Sequence, residues 1–183
     1  MKTPAPGKLL IADPFLKDPN FARTVILLCE HQAGGSMGFV INKLSDYTLD
    51  ELIPDSTHVD APVFLGGPVQ VDTLHFIHAL PDMIEDGIEI IPNIYWGGNF
   101  EKTMLLMNTG VLHMDKIKFF VGYSGWADGQ LQGELNERSW IVSDASSRLV
   151  FREKESAIWQ ASLMDMGNDF AALANYPIDP SLN

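Results

Sequence analysis

One cysteine is all that the 183-residue chain contains, so no disulfide can close within it. Cys29 stands inside the apolar run "TVILLCEH", where it reads as a small buried hydrophobe, and nothing calls for an oxidising compartment. Positive charge is scarce too: 12 Lys and Arg stand against 24 Asp and Glu, giving a formal net charge of -12 and a pI near 4.6. Nucleic-acid binding normally rests on a Lys/Arg footprint, so a direct nucleic-acid partner is not expected. The acidic balance reads as solubility, or as complementarity to a basic partner protein. Long apolar runs are missing as well. The start, "MKTPAPGKLLIADP", has one lysine and a short apolar stretch closed by Asp13-Pro14, which falls short of a signal-peptide core and of a membrane span. The expected location is the cytoplasm. No repeat, heptad run, low-complexity segment or Ser/Gly/Pro linker divides the chain, so residues 1–183 are expected to form a single domain.

What is present is a set of short strands with helices inserted later. "GKLLIAD" reads as a strand. In "RTVILLCEH", Val25, Leu27 and Cys29 face one way and Ile26 and Leu28 the other, the mark of a central strand covered on both sides. "QAGGS" supplies a five-residue loop into "MGFVIN", predicting a hairpin. "DYTLDELIP" predicts a short helix stopped by Pro54, and "APVFLGGPV" and "DTLHFIHAL" predict two strands joined by a Gly-Gly-Pro turn. "MIEDGIEIIPNIYWGGN" carries more strand signal. "FEKTMLLMNTG" has helical spacing, with Phe100, Met104 and Met107 on one side. In "DKIKFFVGYSGW" the alternation puts Ile117, Phe119, Val121 and Tyr123 on one face and Lys118, Phe120, Gly122 and Ser124 on the other. A helix follows, with Asp128 as its cap and Leu131 and Leu135 one turn apart. "SWIVSDA" is a further strand. "EKESAIWQASLMDMG" reads as one amphipathic helix closed by Gly167, with Ile158, Ser162, Leu163 and Met166 near one another. Met104, Met107, Met164 and Met166 are expected in the core, and the tail "YPIDPSLN" is expected to be extended. The mixture argues for an α+β fold.

The sharpest chemical question lies in Gly122-Tyr123-Ser124-Gly125-Trp126. A nucleophile elbow has Gly two residues to either side of Ser, because its strained turn leaves no room for side chains. Trp126 holds the second of those places. The last histidine, His113, precedes Ser124, so the usual hydrolase order cannot be assembled. His75 and His78 are three apart, which on a strand sends them to opposite faces and keeps them from sharing a metal. "AGGSMG", "LGGPV" and "WGGN" lack the spacing of phosphate loops and read as tight turns. Asp82, Glu85, Asp86 and Glu89 lack calcium-loop spacing and read as a solvated edge. No catalytic set, metal or cofactor is called for. Polar residues embedded at strand ends remain: Arg23, His31 and Asn42, with Arg23 and His31 on one face at opposite ends of the second strand.

Taken together, "GKLLIADP", "FARTVILLCEH", "GFVINK", "GGPV" before "LHFIH", "GYSGWADGQLQGEL", Trp140 and Trp159 stand in the order and spacing of the AlgH/YqgE family, which the chain resembles over nearly its whole length. That resemblance implies a bacterial, cytosolic protein without an established molecular function, whose family name comes from a proposed role in transcriptional regulation. It also implies a single α+β unit with a bifurcated, largely antiparallel sheet rolled into a pseudo-barrel and flanked by helices. Family motif positions fall on Arg23, Asn42, His75, Trp126 and Gln130, which become the candidate binding residues, with no catalytic role attached. The family usually has Ala where Ser124 stands and Pro where Leu44 stands; the first departure speaks against a mechanism built on the serine hydroxyl. The expected function is a non-enzymatic cytosolic binding or regulatory module with an unidentified protein or small-molecule partner. The alternative is a small-molecule hydrolase or transferase using the Ser124 turn, with residues 128–130 at a helix start donating to an anion.

Overall fold

The structure, a computed structural model, describes residues 2–53 and 60–177. Ten strands, β1 (Lys8–Ala12), β2 (Val25–Gln32), β3 (Gly35–Val40), β4 (Leu44–Thr48), β5 (Pro62–Leu65), β6 (Val69–His78), β7 (Ile88–Ile91), β8 (Ile94–Trp96), β9 (Ile117–Ala127) and β10 (Trp140–Asp144), form one sheet. The helices are α1 (Leu49–Leu52), α2 (Phe100–Asn108), α3 (Gln130–Asn136), α4 (Ile158–Met164) and α5 (Asn168–Ala174). The sheet runs β10-β1-β2-β3-β9-β6-β8-β7, with β5 and then β4 attached as a branch on β9. Every pairing is antiparallel except β5 with β9. The result is the expected single-domain α+β unit, a curled half-barrel sheet with helices packed on it.

The branch point is Gly122. On one edge of β9, Phe119–Val121 pair with β5, whereas Ser124–Gly38 and Trp126–Ser36 pair β9 with β3. Gly122 sits between them at φ 67°, a conformation that glycine adopts without strain. A Cβ there would lie 2.6 Å from the Gly67 carbonyl oxygen and 2.9 Å from that of Val69. This kink reverses the side-chain alternation. Ile117, Phe119 and Val121 pack with Met104, Met107 and Val63 in one cluster, while Tyr123 packs with Phe39 and Phe120 in another. The strict alternation that grouped Tyr123 with Ile117 is therefore wrong beyond Gly122, because a bulge inserts half a period. A second bulge lies at Cys29: Leu28 pairs with Gly38, yet Glu30, not Cys29, pairs with Met37. It turns Glu30 and Gln32 to the side that Cys29 faces and His31 to the other, so Arg23 and His31 do not share a face.

Both faces of β1 and β2 are covered, as the continuous apolar runs required. Leu9, Ile11, Val25 and Leu27 face the half-barrel interior with Ile158, Trp159 and Leu163 of α4, whereas Leu10, Ile26 and Leu28 face Leu131, Trp126 and Trp140 beneath α3. Several local expectations change. The β2–β3 turn is two residues, Ala33–Gly34, since Gln32 already pairs with Gly35. The stretch around Ser124 is strand rather than a turn. Residues 153–167 are not one helix. A π-helical turn over Arg148–Arg152 precedes α4, and Gly167, at φ 97°, ends that segment and begins α5, which the sequence pattern did not predict. Met164 is 49% exposed and outside the core, whereas Met104 and Met107 are buried. Pro54 and most of the tail, residues 178–183, lie outside the described residues.

Candidate functional site

The five candidate binding residues fall in three separate places. Arg23 and Asn42 meet. Arg23 is held at φ 57°, and the Asn42 side chain spans that turn, its Oδ1 accepting the Val25 N–H at 2.8 Å and its Nδ2 donating to the Arg23 carbonyl at 2.9 Å. The Arg23 guanidinium lies 4.0 Å from the Trp159 ring centroid and donates to the carbonyls of Tyr176 and Pro177. A shallow groove of about 390 Å³ adjoins it, but the polar groups of Arg23 and Asn42 are already engaged in binding the chain to itself.

Trp126 and Gln130 form a second group, around a carboxylate that the sequence pattern did not single out. Glu134 Oε2 accepts the indole N–H of Trp126 at 2.9 Å and of Trp140 at 2.7 Å, while Oε1 accepts Gln130 Nε2 at 3.0 Å. Gln130 Oε1 in turn accepts the Ala127 N–H. This closes the β9–α3 junction, with Gly129 at φ 72° as the helix cap; Asp128 does not cap it.

Ser124 is wholly buried. Its hydroxyl donates to the Gly66 carbonyl at 3.0 Å, in the seam where Gly66 and Gly67 approach β9. A nucleophile needs access to substrate and a base within reach; this hydroxyl has no access and is committed to a carbonyl. His78 is also internal: Nδ1 accepts the Leu80 N–H, which leaves Nε2–H to donate to the Gly97 carbonyl. Both nitrogens of the neutral ring are satisfied, and burial lowers its pKa.

His75 lines a third and wider cleft. It has a volume of about 620 Å³ and lies between the tip of the β2–β3 hairpin, β6, β8 and β9, where Glu30, Gln32 and Met37 face His75, Trp96 and Tyr123. That size is in the range of small-molecule and side-chain receptors. The buried Phe39 ring, stacked on Phe120 at 4.8 Å, packs against the rings of His75 and Trp96. The His75 ring is perpendicular to Tyr123, at 87° and 6.1 Å, and lies 6.3 Å from Trp96. Thr73 donates its hydroxyl to the Gln70 carbonyl at 2.7 Å, so its oxygen accepts from His75 Nε2–H at 3.0 Å and His75 Nδ1 is left as an acceptor. Partial burial lowers the His75 pKa and keeps the ring neutral. Glu30, Trp96 and Tyr123 were invisible as site residues in the sequence. Two of them face the cleft only because bulges at Cys29 and Gly122 reverse the alternation.

A family described as AlgH-like matches residues 9–171. The chain is 44% identical to a UPF0301 protein of Chlorobaculum tepidum over 97% of its own length and 95% of the relative's, and 42% identical to a UPF0301 protein of Cytophaga hutchinsonii over 97% and 98%. In structure it is similar to the AlgH protein of Pseudomonas aeruginosa, with TM-score 0.73, 29% identity, and 97% and 98% of the two chains covered. It also shares its fold with a protein of Corynebacterium diphtheriae, at TM-score 0.77 and 21% identity over 96% and 94% of the chains.

Proposed function

The chain belongs to the AlgH-like family, and on that premise we propose that it is a non-enzymatic, cytosolic binding and regulatory module that receives its partner in the cleft of His75, Trp96 and Tyr123. The observation that carries this reading is the contrast in how polar groups are used. Elsewhere the candidate residues are engaged with the chain itself, whereas the Glu30 carboxylate, the Tyr123 hydroxyl and the Trp96 indole N–H make no hydrogen bond among the described residues and belong to side chains that line the same cavity. A hydrolase or transferase centred on Ser124 is disfavoured by the burial of its hydroxyl. Direct nucleic-acid binding is disfavoured by the net charge of -12, and six of the 12 basic groups are already engaged or buried: Lys2, Lys8, Lys102 and Arg148 are paired with carboxylates, Arg23 is tied to carbonyls, and Lys118 is buried. No described helix is long and apolar enough to cross a membrane.

The test is site-directed photo-crosslinking in cells. A photoreactive residue replacing Gln32, at the cleft rim, is expected to capture a defined partner that the same residue replacing Leu105, on α2, does not. Equal capture at both positions, or turnover in a substrate screen that survives replacement of His75, Trp96 and Tyr123, would sink the proposal.

A further inference from the structure

We infer that the cleft is a receptor for a planar organic cation, the guanidinium group of an arginine side chain or of a free alkylguanidine. The inference rests on the reading of this cleft as the binding site and names its ligand class.

Three properties of the cavity point to this chemistry. Its lining includes the aromatic rings of Trp96, Tyr123 and His75, and the faces of such rings carry the negative end of the aromatic quadrupole that attracts a cation within about 6 Å. The one ionisable group of definite charge at its rim is the Glu30 carboxylate, and neither Lys nor Arg lines it. Glu30 has no ion-pair partner among the described residues, although its field reaches inward far enough to contribute to raising the Cys29 thiol pKa. The neutral His75 adds an acceptor at Nδ1 rather than a positive charge. An anionic ligand would meet an uncompensated carboxylate with no basic group to offset it.

Guanidinium fits better than ammonium. Its flat face stacks on indole and phenol rings, its edge presents several N–H donors to acceptors in different directions, and it is weakly hydrated enough to sit in a cleft still open to water. Glu30 on β2 and His75 on β6 both line the cleft, so it offers a guanidinium acceptor groups from two strands of the half-barrel beside aromatic rings. The cation is also the ligand charge that a chain of net charge -12 draws in by long-range attraction.

The experiment follows the four indole N–H resonances of the protein by NMR while a blocked arginine peptide, agmatine, or the matching blocked citrulline peptide is added. Citrulline keeps the shape and removes the charge. The expected result is a saturable shift of the Trp96 indole signal with the arginine peptide or agmatine, at least about ten-fold weaker with citrulline and weakened by salt. The signals of Trp126 and Trp140, held by Glu134, and of Trp159, which donates to the Ala12 carbonyl, stay in place and report an intact fold. Glu30→Gln is expected to weaken binding about five- to ten-fold with those three signals unchanged. Tighter binding of the peptide assigns the cation to a partner protein; tighter binding of agmatine assigns it to a small molecule. Equal binding of citrulline and arginine peptides, or no Trp96 shift at millimolar guanidinium, overturns the inference. In that event crosslinking at Gln32 still decides whether the cleft is a binding site, so the two failures are distinguishable.

Discussion

Replacing Lys118 with Met is expected to stabilise the protein at neutral pH and to flatten its pH dependence in the alkaline range. The side chain is 8% exposed, donates to the Ile41 carbonyl at 3.0 Å and places its ammonium 4.3 Å from the Phe64 ring centroid. No carboxylate lies within ion-pair distance of it among the described residues; Glu155 acts only through its field. Burial lowers the Lys118 pKa to about 8, against roughly 10.4 for an exposed lysine. Because the folded value is depressed, the unfolded chain binds more protons between those two pH values, and stability rises with pH across that window. Below about pH 8 the amine is charged in both states and the full penalty applies, on the order of 3 kcal/mol, since each tenfold loss of proton affinity is worth about 1.4 kcal/mol. Methionine removes the charge but leaves the Ile41 carbonyl without this donor, a loss of about 1–2 kcal/mol, so the net gain at neutral pH is about 1–2 kcal/mol. The sharper quantity is the slope. Urea unfolding of both proteins, followed by tryptophan fluorescence from about pH 7 to about pH 10, should show the advantage of Lys118→Met shrinking by about 1.4 kcal/mol per pH unit above about pH 8. Every other ionisable group is common to the two proteins and cancels in the difference. Parallel stability curves would refute the reasoning, since they would mean that the lysine is as well solvated in the folded state as in the unfolded one.

Two further substitutions probe the framework. Glu134→Ala leaves the indole N–H groups of Trp126 and Trp140 without their carboxylate and should cost about 2–4 kcal/mol in thermal unfolding, whereas Glu134→Gln keeps one carbonyl oxygen for both indoles and should cost about 1 kcal/mol. Equal losses in the two variants would show that the carboxylate is not the acceptor that closes the β9–α3 junction. Gly122→Ala puts a Cβ 2.6 Å from a backbone oxygen at φ 67° and should destabilise by more than about 3 kcal/mol, read as loss of soluble folded protein or of a cooperative transition. A stable, well-folded variant would mean that the branch of the sheet does not need this residue.

Much of the architecture was legible in the chain. Runs such as "KLLIA" and "VILLC" have no polar face, so they had to be covered on both sides, and they are. The family motif pattern led to the α+β half-barrel and to the Trp126, Gln130 and Asn42 positions, yet it could not say what those side chains do. Two of the three clusters they mark are internal locks, because a buried indole or amide must be satisfied wherever the chain brings a partner, and the partners of Asn42 and Trp126 were not visible as pairs in the sequence.

The sequence alone determined which segments are buried, the absence of an intrachain disulfide, the strong negative charge and the incomplete serine elbow, since each of these follows from residue type and local spacing. Only the tertiary structure decided which polar residues face a common space. Alternation along a strand predicts direction only while the pairing stays in register. One extra residue at Cys29 and one left-handed glycine at Gly122 each reverse it, and those two reversals bring Glu30 and Tyr123 to the same cleft as His75. The first lies within the β2–β3 hairpin, but the second, and the meeting of the two, are fixed by pairing of β3 with β9, segments about ninety residues apart, a global compromise of packing and hydrogen bonding that no local window contains.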